Sequence, residues 1–211
     1  VMRKKDGDKI CIFNEVSGEW EALMKKKKNL KIVPLEKFRK TISEPDIWIC
    51  FSLIKPRNIN YLVEKISELG VSRIIPLRTD FSLKTKIDTN RLRKIAIESV
   101  EQSNGLMVPK IEEVSRFQDI LLNWDQSRFI FFCDEKTKKT FFDIEDKHYG
   151  KKKYAIFLGP VGGWSSNDRK FIHKVDNFSS VSLGNRLLKA DTAGICALSS
   201  LKLIMEKGLN V

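Results

Sequence analysis

The sequence predicts an α/β protein in which a small N-terminal β domain precedes a largely parallel sheet covered by helices. Three observations carry that prediction. Short strand-like runs crowd the first 45 residues, apolar strands alternate with helix-period segments from Asp46 onward, and two Gly-bearing loops follow the last two strands. A chain of 211 residues has room for two domains, residues 1–45 and 46–211. With 42% hydrophobic and 31% charged residues, it can bury a core and lacks the composition of a disordered protein.

In the first unit the runs are Lys9 to Phe13, Glu19 to Met24 and Leu30 to Pro34. Gly7 supplies a turn before the first run, and Asn14 to Gly18 links the first two as a hairpin. Lys25, Lys26, Lys27 and Lys28 then stand at a predicted loop tip, either as a solvated loop or as a phosphate contact.

From Asp46 the pattern changes. Ile47 to Leu53 is an apolar strand, and Asn58 is placed to cap a helix carrying Ile59, Leu62, Val63, Ile66 and Leu69, which Gly70 stops. A strand from Arg73 to Leu77 follows, then a loop and a helix from about Asn90 to Ser103. Phe129 to Cys133 is a further strand, and a polar segment runs on to Lys153. These are βαβ units, which imply parallel pairing.

A net charge of +12, from 39 Lys and Arg against 27 Asp and Glu, favours a polyanionic partner, because each neutralised phosphate releases condensed counterions. Both units are basic. Cys11, Cys50, Cys133 and Cys196 lie far apart in apolar runs and read as reduced core residues. With His148 and His173 the only histidines, neither a zinc site nor a Ser/His/Asp triad is expected, and no metal is called for. No stretch reaches the roughly 18 apolar residues of a membrane span, and no apolar signal core follows the basic N-terminus, so the expected location is the cytosol.

The chemistry concentrates in the last sixty residues. Tyr154 to Leu158 is a strand ending in the loop GPVGG, Gly159 to Gly163, and Ser165 with Asp168 forms a capping box for the next helix. Ser180 to Leu183 is a second strand whose loop, GNRLLKA, leads into a helix from about Asp191 to Lys207. Neighbouring loops at the carboxyl ends of strands form the crevice where open α/β sheets bind ligands. GPVGG is neither the dinucleotide GxGxxG nor a P-loop with GK[ST], so ATP chemistry is disfavoured.

LGPVGGWS, followed some twenty residues later by SLGNRLLKADTAG, resembles the S-adenosyl-L-methionine-binding signature of the knotted SPOUT methyltransferases, and in particular the RsmE family of 16S rRNA uridine-N3 methyltransferases. The likeness continues through EKISELGVSRIIPLRTDFS, RLRKIAIESVEQS, MVPKI and VMRKKDGDKICIF, so it covers essentially the whole chain. It implies a trefoil knot, a homodimer, a small PUA-like barrel whose first strand precedes Val1, and 16S rRNA of the small ribosomal subunit as substrate. It also assigns cofactor-pocket roles to Leu158, Gly159, Pro160, Gly162, Gly163, Leu183, Gly184, Asn185, Leu187 and Leu188.

Of the side chains there, Arg186 is the expected catalytic residue, since a guanidinium can stabilise a uridinate anion or hold its phosphate. Asp191 is a candidate base or a helix cap, with Thr192 able to share the capping. Arg3 and Lys25 to Lys28 are the expected RNA contacts. The family has Glu where Val161 stands, Pro at Asn185 and Arg at Gly105, while Lys189 and Asp191 keep the charge of Arg and Glu. The alternatives are an RNA-binding protein of this fold with weakened catalysis, or the same chemistry on another RNA.

Overall fold

The computed structural model describes residues 4–26, 29–41, 45–144, 148 and 153–208. Arg3, Lys27 and Lys28 lie outside them. Two sheets organise the chain. The first is antiparallel, in the order β1 (Lys9–Asn14), β2 (Gly18–Lys26), β3 (Leu30–Arg39), and fits the small β domain expected from the sequence. Lys25 and Lys26 are exposed but belong to β2, paired with Lys31 and Leu30, rather than to a loop tip. The ladder of β2 and β3 continues to the last pair before the turn, so it extends the strand through both lysines. Cys11, expected in the core, alternates onto the exposed face of β1.

The second sheet has seven strands, parallel in every pairing. Along it run β10 (Phe178–Val181), β8 (Phe129–Cys133), β9 (Lys153–Leu158), β4 (Asp46–Ser52), β5 (Arg73–Arg78) and β6 (Lys110–Ile111), with β7 (Ser115–Arg116) also beside β5. The central strands are apolar on both faces because both are covered. One face meets α1 (Pro56–Glu68), α2 (Thr89–Gln102) and α5 (Ala190–Gly208) around Ile49, Phe51, Leu62 and Leu198. The other meets α3 (Phe117–Leu122) and α4 (Ser166–Ile172) around Cys50, Phe117, Phe157 and Trp164.

Helix starts differ from the sequence reading for a local reason. α1 begins at Pro56 with Lys55 as its cap, since proline has no N–H to leave unsatisfied in a first turn, so Asn58 falls inside the helix. At α2 the carboxylate of Asp88 accepts from Arg91 N–H at 3.1 Å, which starts the helix one residue before Asn90. Gly105 closes that helix behind Asn104, whose φ of 55° is left-handed, and its N–H donates to Val100 O at 2.9 Å. That position is therefore a helix end.

Below the sheet, Arg128 is 1% exposed and joins three elements. Its guanidinium lies 3.6 Å from the centre of the Trp48 ring, donates to Asp46 O at 2.8 Å and Tyr154 O at 3.0 Å, and pairs with the Asp46 carboxylate at 2.5 Å. Burial works against the Asp46 charge, but hydrogen bonds from Arg128, Ser72 and Trp48 outweigh it and hold the carboxyl below its ordinary range. Arg128→Ala strands two carbonyls and opens a cavity, and is expected to cost about 3 kcal/mol of stability. Urea denaturation would measure it, and a change under about 1 kcal/mol would mean that water replaces the guanidinium without loss.

Candidate active site

Three neighbouring strands, β10, β8 and β9, end side by side, and the loops leaving them wall a cleft of about 610 Å³ with its open mouth included. From β9 come Leu158, Gly159, Pro160, Val161 and Gly163. From β10 come Val181, Ser182, Leu183, Gly184, Arg186, Leu187 and Leu188, with Ala190 and Ala193 of α5 behind them. The third wall is Cys133 at the end of β8 with Asp134 and Glu135 after it, and the sequence reading left that acidic pair inside a polar segment. Its signal was present: an acidic pair follows FIFFC directly, at the carboxyl end of an apolar strand.

The β9 loop turns within four residues. Gly163 N–H donates to Pro160 O at 2.9 Å, and Gly163 holds a φ of +70°, which side-chain-bearing residues adopt only with strain. Trp164 then dives under the loop, stacks on Phe132 with ring centres 4.4 Å apart, and donates its indole N–H to Cys133 O at 2.8 Å. Gly159 admits that indole, because a Cβ there would lie 3.0 Å from its nitrogen. Ser165 and Asp168 form the capping box that the sequence predicts, fixing where α4 begins.

The β8 loop is fastened by Arg169 of α4, which reaches Asp134 at 2.7 and 2.8 Å and Glu135 at 3.1 Å. Burial opposes ionisation of Asp134, but Arg169 and the Lys136 backbone N–H prevail, so the carboxyl stays charged below its usual range. The Glu135 carboxylate rests beside Gly163, 2.5 Å from where a Cβ would stand. The β10 loop is tied across to this one by Ser182 N–H to Lys139 O at 2.6 Å and by Asp134 N–H to Val181 O at 3.0 Å.

Within the β10 loop Gly184 to Leu187 and Lys189 are exposed, while Ser182, Leu183 and Leu188 are half-buried. Arg186 faces the cleft and has no ion-pair or hydrogen-bond partner among the described residues. Gly184, at φ +108°, would place a Cβ in open space, which leaves the backbone there approachable by a ligand. Two expected pocket residues lie outside the lining: a Cβ on Gly162 would point at Phe81, and Asn185 is exposed. Asp191 lies in the first turn of α5, which starts at Ala190. Its carboxylate accepts from Thr192 N–H at 3.0 Å and does not line the cleft, so it serves the helix terminus from inside rather than as the cap.

These features fit S-adenosylmethionine. Glycines at positive φ leave the backbone open to close approach, and Asp134 and Glu135 line the cleft, where carboxylates would suit the sulfonium and ammonium of that cofactor. Among the described residues no His, Cys, Asp and Glu cluster could hold a metal, and no helix is long and apolar enough to cross a membrane.

Comparison with known proteins agrees with the geometry. The chain is 28% identical over 206 residues to the ribosomal RNA small subunit methyltransferase E of Rickettsia conorii, covering 97% of this chain and 84% of that one. It is 30% identical to methyltransferase E 2 of Borreliella burgdorferi, covering 98% and 86%. A methyltransferase of Legionella pneumophila solved with bound SAM superposes with a TM-score of 0.82 at 25% identity, over 96% of this chain and 85% of that one. The ribosomal RNA small subunit methyltransferase E of Neisseria gonorrhoeae, bound to S-adenosyl methionine, gives 0.83 at 20% identity, over 96% and 85%, and shares the fold. The family model for the RNA methyltransferase domain matches residues 42–202, and with it this chain belongs to the RsmE-type RNA methyltransferase family.

Proposed function

We propose that this protein methylates N3 of a uridine in 16S rRNA, using S-adenosylmethionine, within the small ribosomal subunit and as a cytoplasmic homodimer. The work divides between a basic N-terminal unit, residues 1–45, and the methyltransferase unit, residues 46–211. The observation that carries the reading is the cleft at the ends of β10, β8 and β9, with Gly-shaped walls on the cofactor side and an uncommitted Arg186 at its mouth. When bound, the cofactor supplies a sulfonium methyl group for in-line displacement.

What the protein must add is alignment and charge control. Orientation in a fixed site is worth about 7 to 11 kcal/mol in well-aligned reactions, whereas a general base gives about 10²- to 10⁴-fold. Backbone placement therefore outranks any one carboxylate, and the loss of a Glu at Val161 leaves the larger contribution intact. Val161 is 76% exposed at the rim of the cleft. Arg186 is the group placed to stabilise the uridinate that forms when N3 loses its proton.

Calorimetric titration with S-adenosylmethionine tests the pocket, and nucleoside mass spectrometry of 16S rRNA from a deletion strain tests the target. Absence of cofactor binding would favour an RNA-binding protein that kept the fold alone. The N-terminal unit should supply salt-sensitive affinity. Replacing Lys25 and Lys26 by Ser is expected to reduce the slope of log affinity against log salt by about 1 to 2. An unchanged slope in a filter-binding series would make both lysines solvated surface.

A further inference from the structure

The turn after β5 carries an aromatic side chain that the site described above does not use. Phe81 is 55% exposed although it sits against the GPVGG loop: a Cβ on Gly162 would lie 3.6 Å from the Phe81 Cβ and 3.8 Å from its ring. An exposed phenylalanine is ordinary by itself. This one is pinned. Thr79 N–H donates to the Ser82 hydroxyl at 3.2 Å, that hydroxyl donates back to Thr79 O at 2.8 Å, and the Thr79 side chain bonds Ser52 at 2.6 Å. Between them, the Asp80 carboxylate accepts from Ser165 at 2.5 Å and from Asn167 at 3.3 Å, which locks the turn onto the start of α4.

The turn therefore holds Phe81 at the surface, on the outer side of the GPVGG loop that walls the cleft. Arg78, Lys84 and Lys86 flank it, all exposed and all without an ion pair among the described residues. A fixed aromatic face among free cations is the arrangement that holds unpaired nucleic acid: the ring stacks a base and the cations meet the phosphates.

N3 of uracil lies on the Watson–Crick edge, so the target base must leave its pair before it can be methylated, and its neighbours lose a stacking partner. The Gly162 backbone stands between Phe81 and the cofactor side of the loop. We infer that Phe81 is the platform for the unpaired base next to the target nucleotide, with Arg78, Lys84 and Lys86 meeting its phosphates. The inference rests on the RNA-methylating reading and adds the part of the RNA that this chain grips beside the reacting base.

The test compares Phe81→Ala and Phe81→Tyr with the parent in three measurements. These are calorimetry with S-adenosylmethionine, methyl transfer to purified unmodified small subunits at saturating cofactor, and anisotropy of a labelled RNA hairpin with unpaired loop uridines. Phe81→Ala should weaken hairpin binding and lower kcat/KM for subunits by about 5- to 100-fold, the range for losing one stacked base, with cofactor affinity unchanged and Phe81→Tyr near the parent. Equal hairpin binding by all three overturns the platform. A matching loss of cofactor affinity makes Phe81 a pocket wall instead, and a change of mass in sedimentation makes it a contact between copies of this chain. If the parent transfers no methyl group, the methyltransferase reading fails, and the hairpin measurement still decides whether Phe81 grips RNA.

Discussion

Gly163→Val is expected to weaken S-adenosylmethionine binding by about 5- to 150-fold while leaving the protein folded. Two effects act at that position. The new Cβ would meet the Glu135 carboxylate at 2.5 Å, but that is the free end of a half-exposed side chain, which can swing away from Arg169 at little cost. The backbone cannot escape so easily. A β-branched residue at φ +70° carries strain of about 1 to 3 kcal/mol, relieved only by opening the turn closed by Gly163 N–H and Pro160 O. Opening that turn moves Gly159 to Val161, which are cleft wall. Gly7→Val is the matched control, since Gly7 holds φ +85° with open space around it and lies in the turn before β1. Calorimetry should find cofactor affinity weakened in the first variant and kept in the second. Equal affinity in both, with Gly163→Val folded by circular dichroism, would remove the β9 loop from the cofactor site.

The parts of this fold that were legible in the sequence are those where one physical requirement decides the residue. Strands covered on both faces must be apolar throughout, and Trp48 to Phe51, Phe129 to Cys133 and Tyr154 to Leu158 announce themselves as such runs. The Ser165 and Asp168 box was legible because both side chains must be present to satisfy the first turn. The glycine loops were legible because positive φ at Gly163 and Gly184 excludes most other residues.

What stayed hidden lacks such a requirement. Strands β6 and β7 are two residues each, too short to show a period, and α3 makes less than two turns. The second wall strand begins at Phe178 rather than Ser180, because its partner β8 sets the register and Phe178 lies opposite Ile130. The Cys133 to Glu135 wall depends on Arg169, a long-range ion pair that no local pattern reports. Lys25 and Lys26 read as a loop because four consecutive lysines resemble one, whereas β3 pairs with them through backbone groups that are indifferent to charge.

Arg186→Ala is expected to lower methyl transfer by about 10²- to 10³-fold while changing S-adenosylmethionine affinity by less than about threefold. The contrast follows from where the residue stands. Leu183, Gly184, Leu187 and Leu188 share its loop and line the cleft, so backbone and apolar groups surround the cofactor side, whereas the Arg186 guanidinium is exposed at the mouth with no partner. Arg128, which is buried, and Arg169, which is half-buried, are paired, whereas Arg186 stands exposed among the cleft-lining residues. Exposed and solvated, the Arg186 guanidinium costs the fold little and is free to meet an anion that enters the mouth. Loss of one preorganised charge at a developing anion has the magnitude given, and it falls on the reacting state rather than on cofactor binding. Arg186→Lys keeps the charge without the planar fork and should recover only part of the rate. A single-turnover assay on purified small subunits, run beside calorimetry with the cofactor, separates the outcomes. Transfer that falls only in step with cofactor occupancy would make Arg186 a cofactor ligand, and transfer that does not fall would leave the uridinate to be stabilised by another group.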